Sequence, residues 1–201
     1  NLRSYQAFTP ANRNSVTRIR HPSESNVHSE DAQNAVGKDK ATVNHQNNTK
    51  AQNTEFLKRY SEWYGLHYTI VYFYNAYGDH EIGTGNYSTV IAKFIGMVKN
   101  GATQLPVTSP GTQLRNFTHV DDIVSGLILS GFYGAGDGYG IGCDEKHSIL
   151  DLVGYLGAEP IITESVAGNR MDGELKTDQV KALGWIAQHN LQDYINEKFD
   201  L

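Results

Sequence analysis

The stretch YGLHYTIVYFYNAYG, Tyr64 to Gly78, decides the fold. From His67 to Tyr74 its residues are almost all β-branched or aromatic and do not strictly alternate with polar ones. That is the pattern of a strand covered on both faces within a parallel sheet. Gly65 stops the helix that precedes it, and Asn75-Ala76-Tyr77-Gly78 closes it as a turn. In open α/β sheets ligands bind beyond the carboxyl ends of such strands. Phe73, Tyr74, Asn75 and Tyr77 are therefore the first candidate site residues.

Outward from this strand the chain alternates helix and strand. Upstream, Phe56, Leu57, Tyr60, Trp63 and Tyr64 fall at i, i+1, i+4, i+7 and i+8, the stripe of an amphipathic helix, and Glu55 and Arg59 are spaced as an i, i+4 pair. Downstream, a glycine-containing loop from Asp79 to Asn86 leads into a second amphipathic helix with Val90, Ile91, Phe94, Ile95, Met97 and Val98, ended by Asn100-Gly101. A short apolar segment, Leu105 to Val107, and a Ser109-Pro110-Gly111 turn come next. Asp121 or Asp122 suits the N-cap of a helix carrying Ile123, Val124, Leu127 and Ile128, and capping explains this carboxylate pair better than catalysis does. The GAGDG run at 134 to 138 reads as a linker, because it follows a helix and precedes a strand, the reverse of a dinucleotide fingerprint. Tyr139 to Cys143 and Glu159 to Thr163 read as strands. Ser148 caps a helix with Ile149, Leu152, Val153 and Leu156; Asp178 opens a short helix; Leu191, Tyr194, Ile195 and Phe199 define the last. The class is α/β.

The first part of the chain has a different texture. Residues 1 to 48 are rich in polar residues, with Leu2, Phe8, Val16, Ile19, Val27, Val36 and Val43 scattered at no regular period. Such a lead-in buries too little to fold by itself. It reads as a poorly ordered tail, a surface excursion of a larger domain, or a stretch foreign to the rest of the chain; residues 49 to 201 form the domain proper. Across 201 residues with 39% hydrophobic content no apolar run is long enough to span a bilayer. A single cysteine, Cys143, excludes an internal disulfide framework, and no basic start leads into an apolar stretch. A cytoplasmic location is expected. A net charge of -5 without a basic stripe argues against nucleic acid and membrane surfaces as partners. The eight histidines show no metal-ligand spacing, so no metal is expected.

Thr49-Lys50-Ala51, FYNAYG at 73 to 78, RNFTHVDD at 115 to 122, YGIGCDEKHSILDL at 139 to 152, NRMDGE at 169 to 174 and LGW at 183 to 185 stand in an order with a precedent. The chain from about residue 48 to 199 resembles the NAD-dependent nucleotide-sugar epimerases and dehydratases, the extended short-chain dehydrogenase/reductase group, in its UDP-glucose 4-epimerase-like form. The resemblance implies the C-terminal portion of a Rossmann-type fold with a small substrate-binding lobe, NAD(P) as cofactor, a nucleoside diphosphate sugar as substrate, most simply a UDP-sugar, and a possible homodimer. It assigns Lys50 to the lysine of the family's Tyr-x-x-x-Lys element, which binds the nicotinamide ribose and lowers the pKa of the acid–base tyrosine. Phe73 and Tyr74 match positions beside the nicotinamide. Asn75 matches an asparagine that bonds the sugar nucleotide, Asn86 aligns near the nucleotide-binding loop, and Arg115 and Arg170 match arginines suited to the diphosphate.

Two departures bear on activity. The Gly-x-x-Gly-x-x-Gly turn and its ribose-binding acid are not recognisable, which implies that the N-terminal βαβ nucleotide-binding half is missing. At the position four before Lys50, where the family has its tyrosine, stands Gln46, which has no proton to exchange near neutral pH. The expectations are a truncated or divergent NAD-dependent UDP-hexose 4-epimerase that is inactive alone or, in a different class, a non-catalytic nucleotide-sugar-binding module. Dehydratase chemistry is a variant within the first class.

Overall fold

The computed structural model describes residues 15–20, 41–85, 88–164 and 175–199, with the side chains of residues 15–20 and 41–51 outside that description. In chain order the elements are β1 (Ser15–Arg20), α1 (Ala41–Tyr64), β2 (His67–Phe73), β3 (Ala76–Tyr77), α2 (Val90–Lys99), β4 (Gln104–Thr108), β5 (Leu114–Arg115), β6 (Thr118–His119), α3 (Val120–Tyr133), β7 (Gly136–Ile141), β8 (His147–Ser148), α4 (Ile149–Tyr155), β9 (Glu159–Thr163), α5 (Asp178–Ala182) and α6 (Leu191–Phe199). The mixed α/β architecture with parallel pairing agrees with the sequence reading.

Two compact units divide the chain discontinuously. The first comprises Asn1–Tyr74, Val124–Ile141 and Lys176–Trp185; the second comprises Asn75–Ile123, Gly142–Leu175 and Ile186–Leu201. In the first unit β2 is the central strand of a parallel sheet ordered β1-β2-β7. Its central position explains the dense β-branched run: Ile70 and Val71 are almost fully buried. α1 ends where Gly65 takes a φ of 64° and returns its N–H to the Ser61 carbonyl at 2.8 Å. Only a residue without Cβ enters that left-handed conformation without strain.

Several features of this unit depart from the sequence reading. The lead-in contains β1, paired in register with β2 from Ser15–His67 to Arg20–Tyr72, and α1 already begins at Ala41. Single scattered valines and isoleucines give no period to a strand of this length, so its pairing was invisible locally. The GAGDG run is not only a linker. β7 starts at Gly136, and its register against β2 shifts between Thr69 and Val71 where Gly136 and Gly138 take positive φ. On α1 the aromatic stripe is not a buried face: Leu57 and Thr54 point inward, whereas Phe56, Trp63 and Tyr64 are more than half exposed. Glu55 meets Lys58 rather than Arg59, and Lys58 also reaches Asp137 on β7 at 2.9 Å.

The second unit is built from short paired strands and helices. β3 and β6 pair in parallel, β4 and β9 pair in parallel, and β5 and β8 pair antiparallel. Its continuous apolar core includes Tyr77, Ile91, Phe94, Leu105, Val107, Leu152, Leu191 and Ile195. The cap expected at Ser148 is present, whereas α3 begins at Val120 and so takes Asp121 and Asp122 into its first turn instead of using either as its cap. Thr89 caps α2, and Ser148 forms a reciprocal capping box with Asp151 at the start of α4. Among the described residues no helix is long and apolar enough to cross a membrane.

Candidate functional site

Asn75 is the point from which the site is built. It lies two residues past the end of β2 and is the one non-glycine residue at positive φ among the described residues, at 36°. Asparagine tolerates this region better than most residues, but holding it there needs support from both neighbours. That support comes from the 116–118 segment. Asn75 accepts a backbone bond from Thr118 N at 3.1 Å, and its side-chain Nδ2 donates to the Asn116 carbonyl at 3.3 Å. Among the described residues neither its Oδ1 nor its second N–H has a further partner. The amide thus offers one acceptor and one donor.

Arg115 immediately precedes Asn116, on β5, where it pairs with His147 of β8. Its Nη1 donates to the Leu114 carbonyl at 2.7 Å, which orients a half-buried guanidinium. Asn116 itself is buried, and its Nδ2 lies 2.9, 3.3 and 3.2 Å from the carbonyl oxygens of Cys143, Asp144 and Glu145. Thr118 Oγ1 accepts from Cys143 N at 3.0 Å. Three closely spaced residues therefore carry a candidate anion ligand, a lock on the 143–145 turn and the anchor of Asn75.

The remaining sequence-derived candidates are placed as follows. Phe73 ends β2 opposite Ile141 and is half-buried. Tyr74 is buried; its hydroxyl accepts from Lys176 N at 3.3 Å, and its ring lies 3.1 Å from where a Cβ on Gly140 would stand. Gln46 and Lys50 fall one turn apart on α1, with side chains outside the described residues. Asn86 and Arg170 also lie outside the described residues. The structure thus brings Asn75 and Arg115 into one locality.

A second cluster was not legible from the sequence. Asp122 does not serve chiefly as a helix cap. Its buried carboxylate in the first turn of α3 accepts from the backbone N–H groups of Gln188 and His189, both at 3.0 Å, and from His189 Nδ1 at 3.0 Å. The acceptor is separated from its donors by 66 and 67 residues, so no local pattern announces the contact. His119 stacks on His189 with centroids 4.2 Å apart and planes 22° apart, and burial, helped by the neighbouring His189, lowers its pKa. Tyr77 and Tyr194 pack edge-on to His119, and burial pushes both phenols well above their ordinary pKa.

His119, Asp121 and His189 have donor atoms within 4.8 Å of one another, a candidate metal group drawn from distant positions. The ring geometry opposes it. An ion bound to imidazole lies in the ring plane about 2 Å from nitrogen, whereas planes this close to parallel meet only roughly 10 Å away. Nor does the cluster offer a general base in Tyr77, whose pKa is raised and whose hydroxyl has no partner among the described residues. The chemistry the second unit supports is binding: neutral hydrogen bonding at Asn75 and positive charge at Arg115.

Comparison with known proteins bears on the fold and the family. A putative UDP-glucose 4-epimerase of Methanocaldococcus jannaschii is 27% identical over 150 residues, covering 70% of this chain and 47% of its own length. The chain thus spans about half the length of that curated relative. The crystal structure of UDP-glucose 4-epimerase from Thermotoga maritima with UDP-glucose superposes with a TM-score of 0.69 at 23% identity, over 77% of this chain and 52% of its own. The UDP-glucose 4-epimerase of Thermus thermophilus in complex with NAD gives a TM-score of 0.67 at 18% identity, over 92% of this chain and 63% of its own. At these identities the solved structures establish the fold, which is that of the Rossmann-type epimerases. The family itself rests on the match to residues 23–132, more than half of the 201, and by it the chain belongs to the NAD dependent epimerase/dehydratase family.

Proposed function

We propose that the chain is the sugar-nucleotide-binding portion of a UDP-hexose 4-epimerase-like enzyme, that it holds the nucleoside diphosphate sugar through Asn75 and Arg115, and that it does not turn over alone. The observation that carries this reading is the anchoring of Asn75. A residue held at φ 36°, with part of its amide left for another partner, and one residue removed from an arginine through Asn116, suits a polar, anionic ligand. Asn86 and Arg170 belong to the same proposal, as further contacts to the nucleotide and the diphosphate.

NAD is the cofactor of the family, with Lys50, Phe73 and Tyr74 the residues assigned to it, but the residues present do not fit its pyrophosphate. A dinucleotide is cradled by a glycine-rich turn between a strand and a helix N-terminus. The first glycine of this sequence is Gly37, far beyond the end of β1. Gln46 in place of a tyrosine leaves no acid–base group one turn from Lys50. Gln46 equally supports the second reading, a binding module that has no redox chemistry at all.

Calorimetric titration of the purified chain with UDP-glucose tests the proposal. Binding is expected, weakened about tenfold or more by Arg115→Ala and unchanged by Arg59→Ala on the exposed side of α1. Equal affinity in the Arg115 and Arg59 variants overturns the phosphate role. Nicotinamide absorbance that copurifies in stoichiometric amount, or measurable epimerase turnover, overturns the inactivity.

A further inference from the structure

We infer that Asn116 is the positioning residue of this site, setting the Asn75 amide for its ligand; the inference rests on reading Asn75 as a binding residue. Asn116 is 5% exposed, and its side-chain nitrogen faces three successive carbonyl oxygens, of Cys143, Asp144 and Glu145, at 2.9 to 3.3 Å. A pocket walled by three acceptors demands a donor. An amide supplies two N–H groups, and a truncated side chain supplies none, leaving the three carbonyls without that donor.

The cage fixes more than its own side chain. With Asn116 held in the turn, its main-chain carbonyl points at Asn75 Nδ2, while Thr118, two residues on, bonds Asn75 O through its backbone N–H and Cys143 N through its hydroxyl. Asn75 is therefore held at its backbone and its side chain by one short segment, which is itself tied to the 143–145 turn at both of its polar residues. Displacing the Asn116 side chain releases the carbonyl that occupies one N–H of Asn75. The amide then rotates away from the geometry in which its remaining donor and acceptor face a ligand.

The test is a double-mutant cycle on UDP-glucose affinity with Asn116→Ala and Asn75→Ala. Asn116→Ala is expected to weaken binding about tenfold in the natural background and less than about twofold once Asn75 is alanine, since a residue acting through another has nothing left to act on. The same loss in both backgrounds overturns the inference. Asn116→Ser, whose hydroxyl can still donate to one of the carbonyls, should retain more affinity than Asn116→Ala; equal losses count against it. Where Asn116→Ala fails to fold, Asn116→Ser takes its place in the cycle. If the parent chain binds no UDP-glucose, the site reading itself fails, and nuclear magnetic resonance still decides the positioning. The Asn75 side-chain amide signals, identified by their loss in Asn75→Ala, should shift and broaden in the Asn116 variant, and unchanged signals overturn it.

Discussion

The two units of this chain bury their apolar residues on different terms. The second unit closes a continuous core, from Tyr77 and Ile91 through Leu152 to Leu191 and Ile195, and among the described residues its exposed large apolar residues are Ile82, Val120, Ile161, Ile162 and Ile186. Among the described residues the first buries Leu57, Ile70, Val71, Tyr74, Ile141, Val180 and Trp185 and shows two helices with apolar outer faces: Phe56, Tyr60, Trp63 and Tyr64 on α1, and Val124, Ile128, Phe132 and Tyr133 on α3. On α1 the rings pack against one another, Tyr60 lying 4.8 Å from Phe56 and 4.7 Å from Tyr64, instead of against a core. The contrast teaches that a correct helical period fixes which residues share a face, but not whether that face is buried.

The widest separation between the units should appear in truncations. Leu152→Ala, at a fully buried position, is expected to lower stability by about 2–5 kcal/mol, whereas Phe56→Ala on the open stripe should change it by less than about 0.5 kcal/mol. Urea unfolding at matched protein concentration measures both. A comparable loss for Phe56→Ala would break the comparison, because it would mean that another surface covers the stripe.

Next in size is Asp122→Ala. It removes the acceptor of two backbone N–H groups and one imidazole, and a loss of about 2–3 kcal/mol is expected, with exchange of the Gln188 and His189 amides accelerated. Unchanged exchange at those two amides would show that the 188–189 segment is held by something else. This variant probes how the second unit fastens a loop that has little apolar content of its own.

The smallest effect is expected at the α4 cap. Ser148→Ala should cost about 1 kcal/mol, read from the shift in urea midpoint. The backbone N–H and hydroxyl of Ser148 hold Asp151 below the usual carboxylate range. A carboxylate whose folded pKa is depressed adds stability that is complete above its unfolded value and disappears as pH falls through the folded one. The difference between the parent chain and Ser148→Ala should therefore shrink on acidification below the ordinary aspartate range. A constant difference down to strongly acidic pH would remove Asp151 from the explanation.

Much of the candidate site could be read from the sequence because its parts are local. Asn75 follows the strand that the His67–Tyr74 pattern announces, and Arg115 lies in a short motif whose order along the chain points to the family. The relation between them could not be read. Asn116 meets residues 143–145, and Asp122 meets residues 188–189, across separations that leave no periodic trace.

By itself the sequence determined the α/β class, the central strand, the helix caps at Ser148 and Asn100-Gly101, and the family, since propensity, burial pattern and capping chemistry act over a few residues at a time. Tertiary structure alone decided that β1 pairs with β2, that GAGDG begins a strand, that the α1 stripe stays exposed, and that Asn75 is anchored by Asn116. Each of these depends on which distant groups arrive at a shared surface, and a hydrogen bond or a buried face exists only once its partner is in place.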